Sequence, residues 1–386
     1  MTAPESSRAH EPHRPPGMKP ATRFAYVDSA RGVAAALVVW QHTSDLFVTL
    51  APAVSHAWMA EIADTVDFGR MGVIVFFAIS GYVIPNSLHS NGADVGRTFL
   101  TRRFFRLFPA YWLSIPVGLA TLWAPIGRSL PLSDILLNLT MVPSFLGATE
   151  VIGLYWTLAL ELIFYALCLV LWRLRLLERR WTMVVLLHLT LVGAAGFIGA
   201  AIVTHHGASG AWGMICLCFG AMFAGAAWRR WQDGAMVDPL ERAAGLAGLV
   251  AWLAGLPLAS AGVLLLIEVP NKFFITAPSS NAGGLLIFLL MTTVARVEWR
   301  PLAWVGVVSY SLYLFHPVVL YPLHRAFQAL APHRVDLALL MALEFVLAIG
   351  LAAAVFYTVE RPAIALGRRL SGQGRAAPLS PAQDVV

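Results

Sequence analysis

Charge is what this sequence has least of. Asp, Glu, Lys and Arg make up 12% of its 386 residues, while 58% are hydrophobic; soluble domains carry about 25% charged and 45–50% apolar residues. A water-soluble fold cannot hide so much apolar surface, so lipid is the expected solvent. Cysteine is scarce too. Cys168, Cys216 and Cys218 all lie inside apolar runs, which speaks against a disulfide framework, and the Cys-Leu-Cys pair lacks the partners of a zinc site, so no metal is expected. No long polar region is left for a separate soluble domain, and no internal repeat of useful strength is visible. The first two dozen residues are Pro-rich and polar without the apolar core of a cleavable signal peptide. The first apolar helix is therefore expected to act as an uncleaved signal anchor.

What the sequence does have is apolar runs. A membrane-crossing helix needs about 20 mainly apolar residues, and ten stretches qualify, at 27–49, 71–89, 107–124, 151–172, 182–204, 211–228, 244–267, 273–295, 302–323 and 337–358. The expected fold is all-α, a polytopic integral membrane protein with about ten transmembrane helices spanning residues 24–365. Residues 1–23 and 366–386 read as largely disordered cytoplasmic tails. With the N-terminus in the cytoplasm, 22 of the 27 Lys and Arg residues face inward and Arg70, Arg128, Lys272, Arg325 and Arg334 face outward. That bias predicts that both termini are cytoplasmic. It also accounts for the net charge of +6, and no aromatic-interleaved basic surface points to nucleic acid.

Against this apolar background a few ionisable residues stand out. Arg31 and His42 are eleven positions apart on the first helix, about three turns plus 20°, so they share one face some 16 Å apart along the axis. Ionisable groups at membrane depth cost about 2.5–3.5 kcal/mol by insertion and usually mark a path or a site. Glu161, eleven residues before the end of the fourth apolar stretch, reaches a similar depth, with Tyr165 one turn away. A buried carboxylate can hold a histidine's tautomer and favour its protonated form, as a general base requires. Arg102, Arg103 and Arg106 crowd the cytoplasmic start of the third helix, where guanidinium forks suit phosphates; they also fit a simpler role as topology anchors. His316 lies in the outer half of the ninth stretch with Tyr313 one turn back, and Pro317 is expected to kink the helix there. This pair is a candidate polar site or a structural kink. Ser80 offers a hydroxyl nucleophile, but no base accompanies it in sequence, and Ser-Gly pairs commonly let membrane helices approach.

Several of these residues lie in an ordered set of motifs: "YVDSARGVAAALVVWQH", "GRMGVIVFFAISGYVI", "FLTRRFFRLFPAYWLS", "YWTLALELIFYAL", "SYSLYLFHPVV" and "ERP". Together they resemble the acyltransferase 3 family over about residues 24–365. These are bacterial integral membrane O-acyltransferases that modify surface polysaccharides, lipopolysaccharide, Nod factors and some antibiotics. The resemblance implies an acyl group drawn from cytoplasmic acyl-CoA, with acetyl-CoA the expected donor and no permanently bound cofactor. It implies that Arg31 and His42 are essential, that Arg103 and Arg106 match the family's arginines, and that Glu161 and His316 match its acidic and histidine positions. Thr157 and Ala30 depart from the usual serine and leucine. No esterase-like domain of the kind fused to some members is expected; the resemblance implies a bacterial inner membrane, with His316 and Tyr313 as a candidate acceptor-side site or a structural kink.

The residues and the resemblance together predict that Arg31, Arg103 and Arg106 bind the donor's phosphates. His42 deprotonates a hydroxyl of a glycan, glycan precursor or other acceptor, with Glu161 orienting the imidazole. A direct transfer and an acyl-enzyme route both fit. Acyl length, acceptor and oligomeric state are not fixed by the sequence. Two other classes compete: a transporter or flippase, which would predict repeat symmetry and matching helix breaks, and a receptor, which needs no chemistry.

Overall fold

The computed structural model describes residues 25–48, 62, 66–88, 94–204, 207–266, 272–329 and 337–372. The expected N-terminal tail, the chain beyond residue 372, and His10, His13, His205, His206 and Arg334 lie outside the described residues. Within them every regular element is helical, as expected of an all-α chain. The helices are α1 (Ala25–Val48), α2 (Phe68–Val83), α3 (Val95–Gly118), α4 (Leu132–Asn138), α5 (Tyr155–Arg173), α6 (Thr182–Thr204) and α7 (Gly207–Gln232). They continue with α8 (Pro239–Val250), α9 (Leu256–Leu266), α10 (Lys272–Thr292), α11 (Arg300–Val307), α12 (Ser309–Ala329), α13 (Leu337–Val355) and α14 (Arg361–Leu370). The last helix thus carries regular structure five residues past the expected domain end.

Each of the ten apolar stretches is largely helical. Among the described residues, seven helical segments are long and apolar enough to cross a membrane, and α11 with α12, bent by 74°, makes an eighth if the pair is one span. α1 and α10 have 24 and 21 residues but are interrupted by polar side chains: Asp28, Ser29, Thr43 and Ser44 on α1, and Ser280 and Asn281 on α10, are buried. Both helices turn these side chains into the bundle, so their polar groups meet protein rather than lipid. The outward faces are the apolar ones, with Val192 70%, Val203 80% and Leu265 88% exposed. That inversion of the soluble pattern is what a lipid solvent demands.

α1 is the centre of the packing, against α2, α11, α12, α10 and α13. Its close approach to α11 depends on glycine: a Cβ at Gly306 would collide with the Asp28 carbonyl, and one at Gly32 with the Leu302 carbonyl. α2 and α7 cross in the same way, Gly81 against the Met222 backbone and Gly225 against the Ala78 backbone. Small residues at both contact points let membrane helices approach to backbone distance. α12 runs through Pro317 as one helix, and a bend of 74° falls at Val308, between α11 and α12.

Gly225→Val should push α7 off α2 and destabilise the fold by about 1–3 kcal/mol or more. Thermal unfolding in detergent reads this as a lowered midpoint, and an unchanged midpoint would contradict the crossing described.

Candidate active site

The arginine-rich end of the bundle opens into a narrow cavity of about 90 Å3 between α1, α2, α3, α5 and α12. Arg31, Arg103 and Arg106 line it, so the structure brings together the three arginines singled out in sequence. Arg31 Nε, Arg103 Nε and Arg106 Nη2 are buried with no hydrogen-bond partner. Leaving a buried donor unsatisfied costs about 1–3 kcal/mol, more for a charged group, so several such donors on one cavity suit an anion. Arg103 lies over the rings of Phe99 and Tyr165, at 5.6 and 5.4 Å from their centroids. Arg106 is committed differently: it forms an ion pair with Glu360 and lies 5.5 Å over the Tyr310 ring. Glu360 also accepts a hydrogen bond from Ser311 Oγ at 2.6 Å, and it closes a π-turn, Phe356–Glu360. Arg102 is not among the cavity's lining residues; its Nε donates to Ser371 Oγ at 3.3 Å.

Glu161 belongs to this same cavity. Its Oε1 accepts from Tyr165 at 2.5 Å and from Ser80 at 3.0 Å. Depth along the axis placed Glu161 level with His42, but depth says nothing about which way a helix is rotated. The structure turns Glu161 towards the arginines, and the hydroxyls it holds are those of Ser80 and Tyr165 rather than the imidazole of His42. Ser80, read from sequence as having no base nearby, therefore does have a carboxylate partner.

His42 faces the other end of the bundle, at the junction of two larger cavities of about 510 and 730 Å3. Its ring stacks on that of His316, with centroids 5.3 Å apart and planes at 26°. His316 is fully buried, and the residue after it explains its state. Pro317 has no N–H, so the helical bond it would have made to the Tyr313 carbonyl is missing. His316 Nδ1 lies 2.9 Å from that carbonyl oxygen, which can only accept, so Nδ1 carries the proton and donates it. The remaining nitrogen, Nε2, is a buried acceptor with no partner. The imidazole thus replaces a lost backbone bond, and α12 passes Pro317 without breaking.

Tyr313 stands between the two ends. It and Val73 line both the arginine cavity and the 510 Å3 cavity of His42. Tyr313 Oη and Thr157 Oγ1 are hydrogen-bonded at 2.6 Å, and the Tyr313 ring meets Phe76 edge-on, with centroids 6.0 Å apart. The carboxylates that share cavities with His42 are Asp45, Asp67 and Glu150. Sequence reasoning passed over all of them, although Asp45 was legible as the residue one turn after His42 on the same helix. Asp67 caps α2, accepting from the Arg70 backbone at 2.7 Å and from Arg70 Nε at 3.0 Å. Gln41 links the two elements, donating to Asp45 at 2.7 Å and accepting from the Phe68 backbone N–H at 2.8 Å.

Glu360→Ala should leave the Arg106 guanidinium buried without its partner and lower stability by about 3–5 kcal/mol. Replacing both residues with leucine or methionine should recover most of that loss. Thermal unfolding of the two variants checks the coupling, and equal losses would show that the pair is not a unit.

Comparison with known proteins agrees with this geometry at the level of the family. A family model described as "Acyltransferase domain", that of the acyltransferase 3 family, matches residues 24–361. BcsY of Komagataeibacter xylinus, named as a membrane-bound transacylase, is 28% identical over 320 residues, covering 77% of this chain and 73% of its own. No solved structure matches the chain significantly. A helical bundle with lipid-facing apolar surfaces, an arginine cavity at one end and a histidine cavity at the other, matched over this length, makes the chain a member of the acyltransferase 3 family of membrane acyltransferases.

Proposed function

We propose that this protein transfers an acyl group, acetyl in the first instance, from acyl-CoA to a hydroxyl of a cell-surface glycan or glycan precursor. The observation that carries the reading is the division of the bundle's interior. Unpartnered guanidinium nitrogens line one cavity, the imidazole of His42 lines the other, and two side chains, Val73 and Tyr313, line both. Acyl-CoA enters from the arginine end, which the bias of basic residues assigns to the cytoplasm. In this arrangement the bundle crosses a bacterial inner membrane about ten times, with both termini cytoplasmic. Arg31 and Arg103 take the donor's phosphates, and Arg106 contributes from its pair with Glu360. The acceptor occupies the two cavities that meet at His42.

His42 removes the proton from the acceptor hydroxyl as its oxygen attacks the thioester carbonyl. The tetrahedral intermediate then collapses, the C–S bond breaks, and the proton held by His42 goes to the departing thiolate. The neutral ring of His316 lies over His42 and offers its π-face to the imidazolium formed in between. Asp45 and Asp67 share the cavity with His42 and supply the balancing negative charge that the sequence reading assigned to Glu161. Glu161 and Tyr313 instead serve the donor's side of the wall and the wall itself.

His42→Ala should reduce acetyl-CoA turnover by about 10²–10⁴-fold, the range for a positioned general base, without loss of donor binding. Arg31→Ala and Arg103→Ala should raise the KM for acyl-CoA more than they lower kcat. Free CoA release by detergent-purified protein, with a panel of methyl glycosides as acceptor probes, checks both. Full activity in the His42 variant would remove the central assignment.

A further inference from the structure

The wall between the two cavities has a consequence for which acyl groups can pass. The arginine cavity and the 510 Å3 cavity of His42 have two lining residues in common, Val73 of α2 and Tyr313 of α12. Any thioester that enters past the arginines and reacts beside His42 must present its carbonyl between them. Both side chains are held. Valine is β-branched and keeps essentially one χ1 rotamer in a helix, and its place on α2 is fixed by the neighbouring Gly72, where a Cβ would press on the Ala34 carbonyl and Val38 of α1. Tyr313 is pinned at its tip by the hydrogen bond to Thr157 and along its edge by Phe76. A second edge contact, to the His316 ring at 6.3 Å between centroids, ties it to the histidine pair. The Tyr313 ring therefore cannot swing aside without breaking a named contact, and Val73 has little rotamer freedom with which to yield.

We propose that Val73 and Tyr313 form a rigid aperture that sets the acyl length this protein transfers, admitting the shortest acyl groups and rejecting longer ones. This rests on the donor reading given above. In a fixed passage the added methylenes of a longer acyl group must either overlap the Val73 methyls or displace the Tyr313 ring from Thr157. Closely packed sites penalise such overpacking, and a single methylene in a defined pocket is worth about 10–200-fold in discrimination. Val73 and Tyr313 act as specificity determinants, distinct from the groups that move the proton.

The test is the ratio of kcat/KM for butyryl-CoA to that for acetyl-CoA, read as free CoA released by the purified protein to a methyl glycoside or to water. Val73→Ala should raise the ratio by about tenfold or more, and Val73→Phe should lower it further below the wild type. Tyr313→Phe keeps the ring but removes the bond to Thr157, and should also raise the ratio by freeing the ring to move. Size-exclusion profiles select folded variants, and with three variants at two positions the loss of one leaves the test intact. If the wild type releases CoA but none of the folded variants shifts the ratio, the aperture is wrong while the acyltransferase reading stands. If the wild type releases no CoA from any acyl-CoA, the donor reading itself fails and the aperture fails with it.

Discussion

A charged or hydrogen-bonding side chain at membrane depth has to be turned away from lipid, and the arrangement of this bundle follows from that constraint. The polar residues of α1, from Asp28 and Ser29 to Thr43 and Ser44, are buried in protein. α1 can therefore occupy only the centre, surrounded by α2, α10, α11, α12 and α13. Once α1 is central, the face carrying Arg31 and His42 lines the interior along its length. The glycine contacts at Gly32, Gly306 and Gly72 allow the surrounding helices to approach closely enough that the interior is divided into cavities rather than one channel.

The same constraint shapes the groups around the cavities. Arg106 is paired with Glu360, Glu161 accepts hydrogen bonds from the hydroxyls of Ser80 and Tyr165, and the carbonyl freed by Pro317 accepts one from the imidazole of His316. Each of these solves a satisfaction problem that water would solve at a protein surface. In solving it, each fixes an orientation. Arg106 is held over Tyr310, and His316 is held as a single tautomer with its ring against His42. Structural and chemical roles are therefore hard to separate here. The helical hydrogen bond missing at Pro317 is what defines the protonation of the histidine beside it.

Much of this is legible in the sequence, and the reason is the period of the helix. The eleven-residue spacing of Arg31 and His42 determines that they share a face whatever the neighbours do, and the clustering of arginines at the start of α3 identifies one end of the bundle. The position of Glu161 shows where spacing stops being informative. Rise per residue gives depth, but the rotation of α5 relative to α1 depends on packing between helices distant in sequence, so equal depth did not mean contact. Pro317 is a related case. Its lost backbone bond is repaired by the preceding side chain, and the bend occurs at Val308, where α11 packs on α1.

By itself the sequence determined the solvent, the helical class, the family and the identity of the ionisable residues that must lie inside, because composition and periodicity act locally and lipid leaves few alternatives. Only the tertiary structure decided the partners of those residues: His316 against His42, Glu161 with Ser80 and Tyr165, Glu360 on Arg106, and Val73 with Tyr313 between the two cavities. Those pairings join helices separated by up to 274 positions, as in the His42 and His316 stack. The forces that make them, close packing and the satisfaction of buried polar groups, are set by how whole helices turn towards one another rather than by any local pattern along the chain.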